Sequence, residues 1–188
     1  MSVTNLLVPT YIQMLKGLAG WLDKAKKQLP EAEAEALLSV RLAPDMYPLS
    51  SQVSFVCFQA QEAVYRLKQE PVPEALMQLA ADGRNAGDKP GSLKDAENKI
   101  ADALTFLSEL DAKALDSAAE REMSIELPTG MIFDLTGEQY ARDWALAQFY
   151  FHLNTAYAIL RNQKIELGKA DYVPHMFAYL RPGTMPQG

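Results

Sequence analysis

Four segments of this chain repeat an apolar residue every three or four positions, the period of an α-helix with one buried face. The first runs from Pro9 to Leu29 and sets Ile12, Leu15, Leu18 and Leu22 along one side. Pro9 suits a first helical turn, where its missing N–H is no loss, and Pro30 ends the run. "EAEAEALL" makes a short connecting helix. The second long segment follows "RLAPDMYPL" and carries Leu49, Val53, Val56, Ala60, Val64 and Leu67 as one narrow stripe, stopped by "EPVP". Residues 81–91, rich in Gly, Asn and Asp and closed by Pro-Gly, read as a loop. Ser92 and Asp95 form a capping pair that opens the third helix, with Leu93, Ala96, Ile100, Leu104 and Leu107. Thr136 and Gln139 open the fourth, which extends to about Asn162. Just before it, "EMSIELPTGMIFDL" alternates weakly on both sides of Pro-Thr-Gly and predicts a short hairpin-like insert. The expected fold is all-α, an up-down bundle of four long helices.

Bulk properties narrow the partners. A chain of 188 residues fits one domain and buries a core large enough to need no disulfide or metal. Its single cysteine, Cys57, favours a reducing compartment, and with no secretion signal at the start the expected location is cytoplasmic. No window has the run of about 18 apolar residues needed to span a membrane. The net charge of −6 argues against nucleic acid, whose backbone calls for a basic face.

Only two histidines are present, and His152 stands in the middle of the greasy fourth helix, in "FYFHLNTAYAILRNQ". With Trp144 at zero and about 100° per residue, Phe151 falls at about −20°, Thr155 at about 20°, Gln148 at about 40° and His152 at about 80°. Gln148 and His152 are stacked one turn apart, on the flank of a stripe expected to face the core. On the second helix Gln52 takes a similar edge position. Gln52, Gln148 and His152, with Trp144 and Thr155 beside them, are the candidate pocket. An imidazole among amides is a satisfied core residue or the rim of a ligand pocket between facing helices. Desolvation without a carboxylate partner predicts a lowered His152 pKa.

Other nucleophiles and ligands are poorly supported. Cys57 lies near the core stripe with no basic neighbour, and His175 falls in an irregular tail where a surface position is expected. Ser50 and Ser51 lack a nucleophile-elbow context, Asp45 is expected to cap the second helix, and Arg161 and Lys169 are expected as helix-end cations.

The stretches "RLAPDMYPLSSQV", "FYFHLNTAYAILRNQ" and "ELGKADYV" resemble a bacterial family of unknown function, number nineteen ninety-three. That family is similar to the broader DinB/YfiT-like superfamily of four-helix bundles, many of which bind a divalent metal. The likeness runs from "LLVPTYIQMLKGLAGWLDKA" to Tyr172, so residues 1–173 are expected as one domain and 174–188 as a tail. Metal-binding members resemble one another in three histidines, one on the second helix and two, at i and i+4, on the fourth. Aligning on "ILR" (159–161) carries the last of these onto His152, the other fourth-helix position onto Gln148 and the second-helix position onto Gln52. A glutamine carbonyl is a poor ligand for zinc or nickel. The resemblance therefore implies a degenerate metal site with no cofactor, in a non-catalytic or small-ligand-binding protein. The alternative is a metal-dependent transferase or hydrolase built around His152, holding zinc or nickel through His152 with Gln52 and Gln148.

The fourth helix also carries Leu146, Phe149, Leu153, Ala156, Tyr157 and Leu160 on its other side. A helix apolar nearly all round must be covered twice. That points to a covering segment or a second subunit; the tail, with Met176, Phe177, Tyr179 and Leu180, could supply either, and the expectation is a homodimer with the tail contributing.

Overall fold

The computed structural model describes residues 2–184. It is mostly helical, with one small antiparallel sheet, so the expectation of an all-α chain is amended by that sheet. The elements are α1 (Val3–Gln28), α2 (Glu31–Ala36), α3 (Leu49–Lys68), α4 (Glu74–Asn85), α5 (Leu93–Ser108), β1 (Glu122–Glu126), β2 (Ile132–Thr136), α6 (Gly137–Gln139), α7 (Leu146–Asn162) and α8 (Lys169–Tyr172). A π-helical segment, Tyr140–Ala145, joins α6 to α7 without a break.

One buried cluster draws on α1, α3, α5 and α7, the four segments with helical apolar spacing. Leu7, Tyr11, Leu15, Leu18 and Leu22 line the inner face of α1 with no exposed surface. The helix starts six residues before Pro9, at Val3, so Pro9 lies inside it rather than in its first turn. The start is fixed from a distance. Asp116 accepts hydrogen bonds from the Ser2 hydroxyl (2.8 Å) and the Thr4 N–H (3.0 Å). A carboxylate at the positive end of a helix satisfies free amides and complements the dipole. The same bonds hold the Asp116 carboxyl below its usual range.

α3 is buried nearly all round, against the expectation of one narrow stripe. It packs on α5 and α7 and also on α4. The reading of residues 81–91 as a loop is corrected, because α4 continues through Asn85. Gly83 lets α4 approach closely: a Cβ there would lie 3.0 Å from the Phe55 ring and 3.1 Å from the Ser54 Cβ. Three small residues of α3, Ser50, Ser51 and Ser54, are buried in this packing.

β1 and β2 pair in register from Glu122 with Thr136 to Glu126 with Ile132. Gly130 takes φ +82° in the connecting turn, a conformation that favours glycine. The hairpin feeds directly into α6 through the Thr136–Gln139 capping box. Gly137 sits so close to the segment before the hairpin that a Cβ there would collide with the Ala118 carbonyl oxygen.

The inner face of the last long helix is Ala141, Ala145, Phe149, Leu153, Ala156 and Leu160, each at most 1% exposed. The expected stripe centred on Trp144 and Phe151 is therefore reversed: Trp144 is half-buried and Phe151 is 60% exposed. The physical reason is an alanine-led inner face at the start of the helix, where Trp144, the largest apolar side chain, packs only against the edge of the core. The π segment also widens the turn there, so phase counted at a regular α pitch from Trp144 is displaced. Phe149, Leu153 and Leu160 belong to this chain's own core. The expected homodimer loses the stripe on which it rested.

Beyond α8 a 3₁₀ segment, Pro174–Tyr179, lies over α1. His175 is half-buried there, its Nδ1 sealed from solvent and without a partner among the described residues, rather than on the surface as expected. Residues 185–188 of the tail lie outside the described residues. No helix among those described is long and apolar enough to cross a membrane.

Candidate functional site

α3 and α7 pack side by side, and their contact brings Gln52 to His152. Gln52 is 2% exposed and His152 half-buried. The Gln52 amide is held at both ends. Its Nε2 donates to the Tyr47 carbonyl at 3.0 Å, and its Oε1 lies 2.9 Å from His152 Nδ1. A peptide carbonyl only accepts, so the NH2 end must face Tyr47 and the oxygen must face the imidazole. Nδ1 therefore carries the proton, and Nε2 is left as an acceptor.

Burial lowers the His152 pKa from 6.5 to about 4. An amide oxygen can bond the N–H of either protonation state but supplies no charge to offset a desolvated imidazolium. The lowered pKa expected from sequence is present, and desolvation is its cause.

Aromatic rings enclose the imidazole. Phe55 lies 4.8 Å away between ring centroids, and Phe151 stands edge-on at 5.2 Å. Tyr47 packs edge-on to Phe55 at 5.2 Å. The sequence pattern does not mark Tyr47 or Phe55 as contributors. Phe55 lies one turn after Gln52, and that spacing is the signal that identifies it.

The remaining candidates are not gathered as closely. Gln148 lies one turn before His152, is half-buried, and makes no hydrogen bond among the described residues. Trp144 packs instead towards the hairpin, 6.2 Å from Phe133. The Thr155 hydroxyl donates to the Phe151 carbonyl at 2.7 Å and is thereby occupied. Asp45 is exposed and caps nothing, since Pro48 takes the N-cap of α3. Arg161 donates to the Ile165 carbonyl at 3.1 Å, beyond the end of its helix. Cys57 is fully buried and its thiol is pushed up to about 12, which leaves it protonated and inert.

These residues do not fit a divalent transition metal. His152 offers one nitrogen, and the Gln52 oxygen is already bonded to the same ring. No cluster of three or more His, Cys, Asp or Glu among the described residues can hold a metal ion. Zinc and nickel sites need several imidazole, thiolate or carboxylate ligands, which this face lacks. Clefts are found elsewhere, one of about 420 Å³ between α3, α4 and α5 around Tyr65 and Lys99, another of about 680 Å³ beneath the tail segment. The His152 face carries the oriented, perturbed group that those clefts lack.

Comparison with known proteins agrees with this scaffold. The model of the family described as a domain of unknown function, DUF1993, matches residues 4–173. The crystal structure of a DinB family member protein from Shewanella denitrificans is similar, with a TM-score of 0.73 and 29% sequence identity. The match covers 97% of this chain and 95% of that one. No curated protein matches.

Proposed function

Because the chain belongs to the DUF1993 family, on a DinB-like helical scaffold, we propose that it is a non-catalytic protein that binds a small molecule against His152. In this reading α1, α3, α5 and α7 form an up-down bundle, residues 1–173 are its one domain, and the protein works in the cytoplasm. The observation that carries the reading is the Gln52 amide on His152 Nδ1. Where metal chemistry would call for a second ligand, the α3 side chain orients the α7 imidazole and leaves its outer nitrogen free. Such an arrangement presents a neutral hydrogen-bond acceptor of fixed direction beside Gln148 and an aromatic rim. It has neither a paired carboxylate for general acid-base work nor an activated nucleophile.

Metal analysis of protein purified without an affinity tag tests this. The expected result is well under one transition metal per chain. A stoichiometric, tightly held metal that His152→Ala releases would overturn the reading.

A further inference from the structure

Two polar groups on the outer side of α7 are unused by the fold. Among the described residues His152 Nε2 has no partner, and it is not sealed from solvent. Gln148, one turn away, commits neither its carbonyl oxygen nor its NH2, and neither atom is sealed. Side chains at this spacing stand about 5–6 Å apart at Cβ, so one small molecule can reach both. Beside them the Phe151 ring, 60% exposed, offers a flat apolar surface.

We infer that this face takes a neutral, flat molecule with an N–H donor next to a carbonyl, a cyclic amide or imide. The inference rests on the small-ligand reading above and adds the ligand's class. The Gln52 oxygen pins the proton to Nδ1, so Nε2 can only accept, and the ligand must bring the hydrogen. Gln148 offers one donor and one acceptor, which match the C=O and N–H edge of such a ring. An anion gains nothing, because its oxygens would face the Nε2 lone pair. A cation meets no compensating carboxylate on α7, which contains no acidic residue. Stacking on Phe151 favours a planar body.

Uracil, its N,N-dimethyl derivative and acetate serve as probes, with binding followed by NMR on the full chain. The readouts are the nitrogen shift of His152 Nε2 and saturation transfer to the probe. Uracil is expected to move the Nε2 resonance with a Kd of about 1–10 mM, as a fragment making few contacts would. The dimethyl derivative keeps the ring and both carbonyls but has no N–H, and should bind at least about tenfold weaker, the effect of one good hydrogen bond. Gln148→Ala should weaken uracil several-fold, and His152→Phe, which keeps a ring of similar breadth, should abolish the response. Equal binding of the dimethyl derivative, or displacement of uracil by acetate, overturns the ligand class while leaving a small-ligand site standing. No response to uracil at about ten times that Kd range overturns the class as well. The underlying reading falls separately, on the metal analysis.

Discussion

Gln52 Oε1 lies 2.9 Å from His152 Nδ1, a contact across 100 residues of sequence that fixes which nitrogen of the imidazole carries the proton. The pairing has a pH signature. With a folded pKa of about 4 against about 6.5 unfolded, the native chain binds fewer protons than the unfolded one below neutrality. The stability contributed by the neutral ring is present above pH ~6.5 and is lost as pH falls from there towards ~4. NMR titration should place His152 well below the ordinary histidine range. Denaturant melts should show a loss on the order of 2 kcal/mol between pH 7 and pH 4, part of which other groups will share. A His152 pKa at or above 6.5 would require a carboxylate partner and contradict the site geometry.

Replacing the orienting amide separates geometry from charge. Gln52→Glu sets a carboxylate against Nδ1 and should raise the His152 pKa by at least about one unit, since a facing negative charge stabilises the imidazolium. Gln52→Leu leaves Nδ1 without its acceptor and should cost about 1–3 kcal/mol. Titration and melts of the two variants check both outcomes. A Gln52→Glu protein with an unmoved His152 would show that the side chains do not face each other.

Gln52 and His152 are legible as polar residues on otherwise apolar helices, but their pairing is not, because the α7 stripe used to place His152 is reversed and α3 is buried nearly all round. The four long helices were legible from the spacing of their apolar residues. What escaped had identifiable causes. α4 hides behind Asp82, Gly83, Arg84 and Asn85, residues typical of loops, yet Leu76, Ala80 and Gly83 are buried at helical spacing. Gly83 is there for close approach to α3, not for a turn. The inner face of α7 was misassigned because a tryptophan outweighs two alanines in any hydrophobicity count. Close packing of Ala141 and Ala145 is a property of the assembled core and has no local sequence signature.

That close approach makes Gly83→Ala informative. Alanine is the better helix former by about 1 kcal/mol. The new Cβ, however, would sit 3.0 Å from the Phe55 ring, which itself backs onto His152 at 4.8 Å. Overpacking should outweigh propensity, giving a net loss of about 1 kcal/mol and a measurable shift in the His152 titration. Gly20→Ala on α1 is the control. Nothing lies within 4 Å of a Cβ there, so it should gain about 0.5–1 kcal/mol and leave His152 unmoved. A stabilised Gly83→Ala protein would mean that α4 slides away without cost.

The end of the chain separates into a latch and a cover. The buried Trp21 indole donates to the Asp171 carbonyl at 2.7 Å and stacks on Tyr172 at 5.5 Å between centroids. Lys24 pairs with the Asp171 carboxylate at 2.7 Å, and Tyr172 donates to Asn154 at 2.6 Å. Residues 174–179, by contrast, border an apolar cleft of about 680 Å³ over Val8 and Ile12 rather than packing tightly against α1. Deleting residues 174–188 should therefore cost under about 1 kcal/mol, lowering Tm by no more than about 2–4 °C for a chain of this size. Deleting from residue 168 onward leaves the Trp21 N–H buried without an acceptor and removes the stacked ring. That should cost about 2–4 kcal/mol and lower Tm by about 5–15 °C. Thermal melts of the two truncations decide the matter. If the shorter deletion is as damaging as the longer one, the 3₁₀ segment belongs to the core and the domain does not end at residue 173.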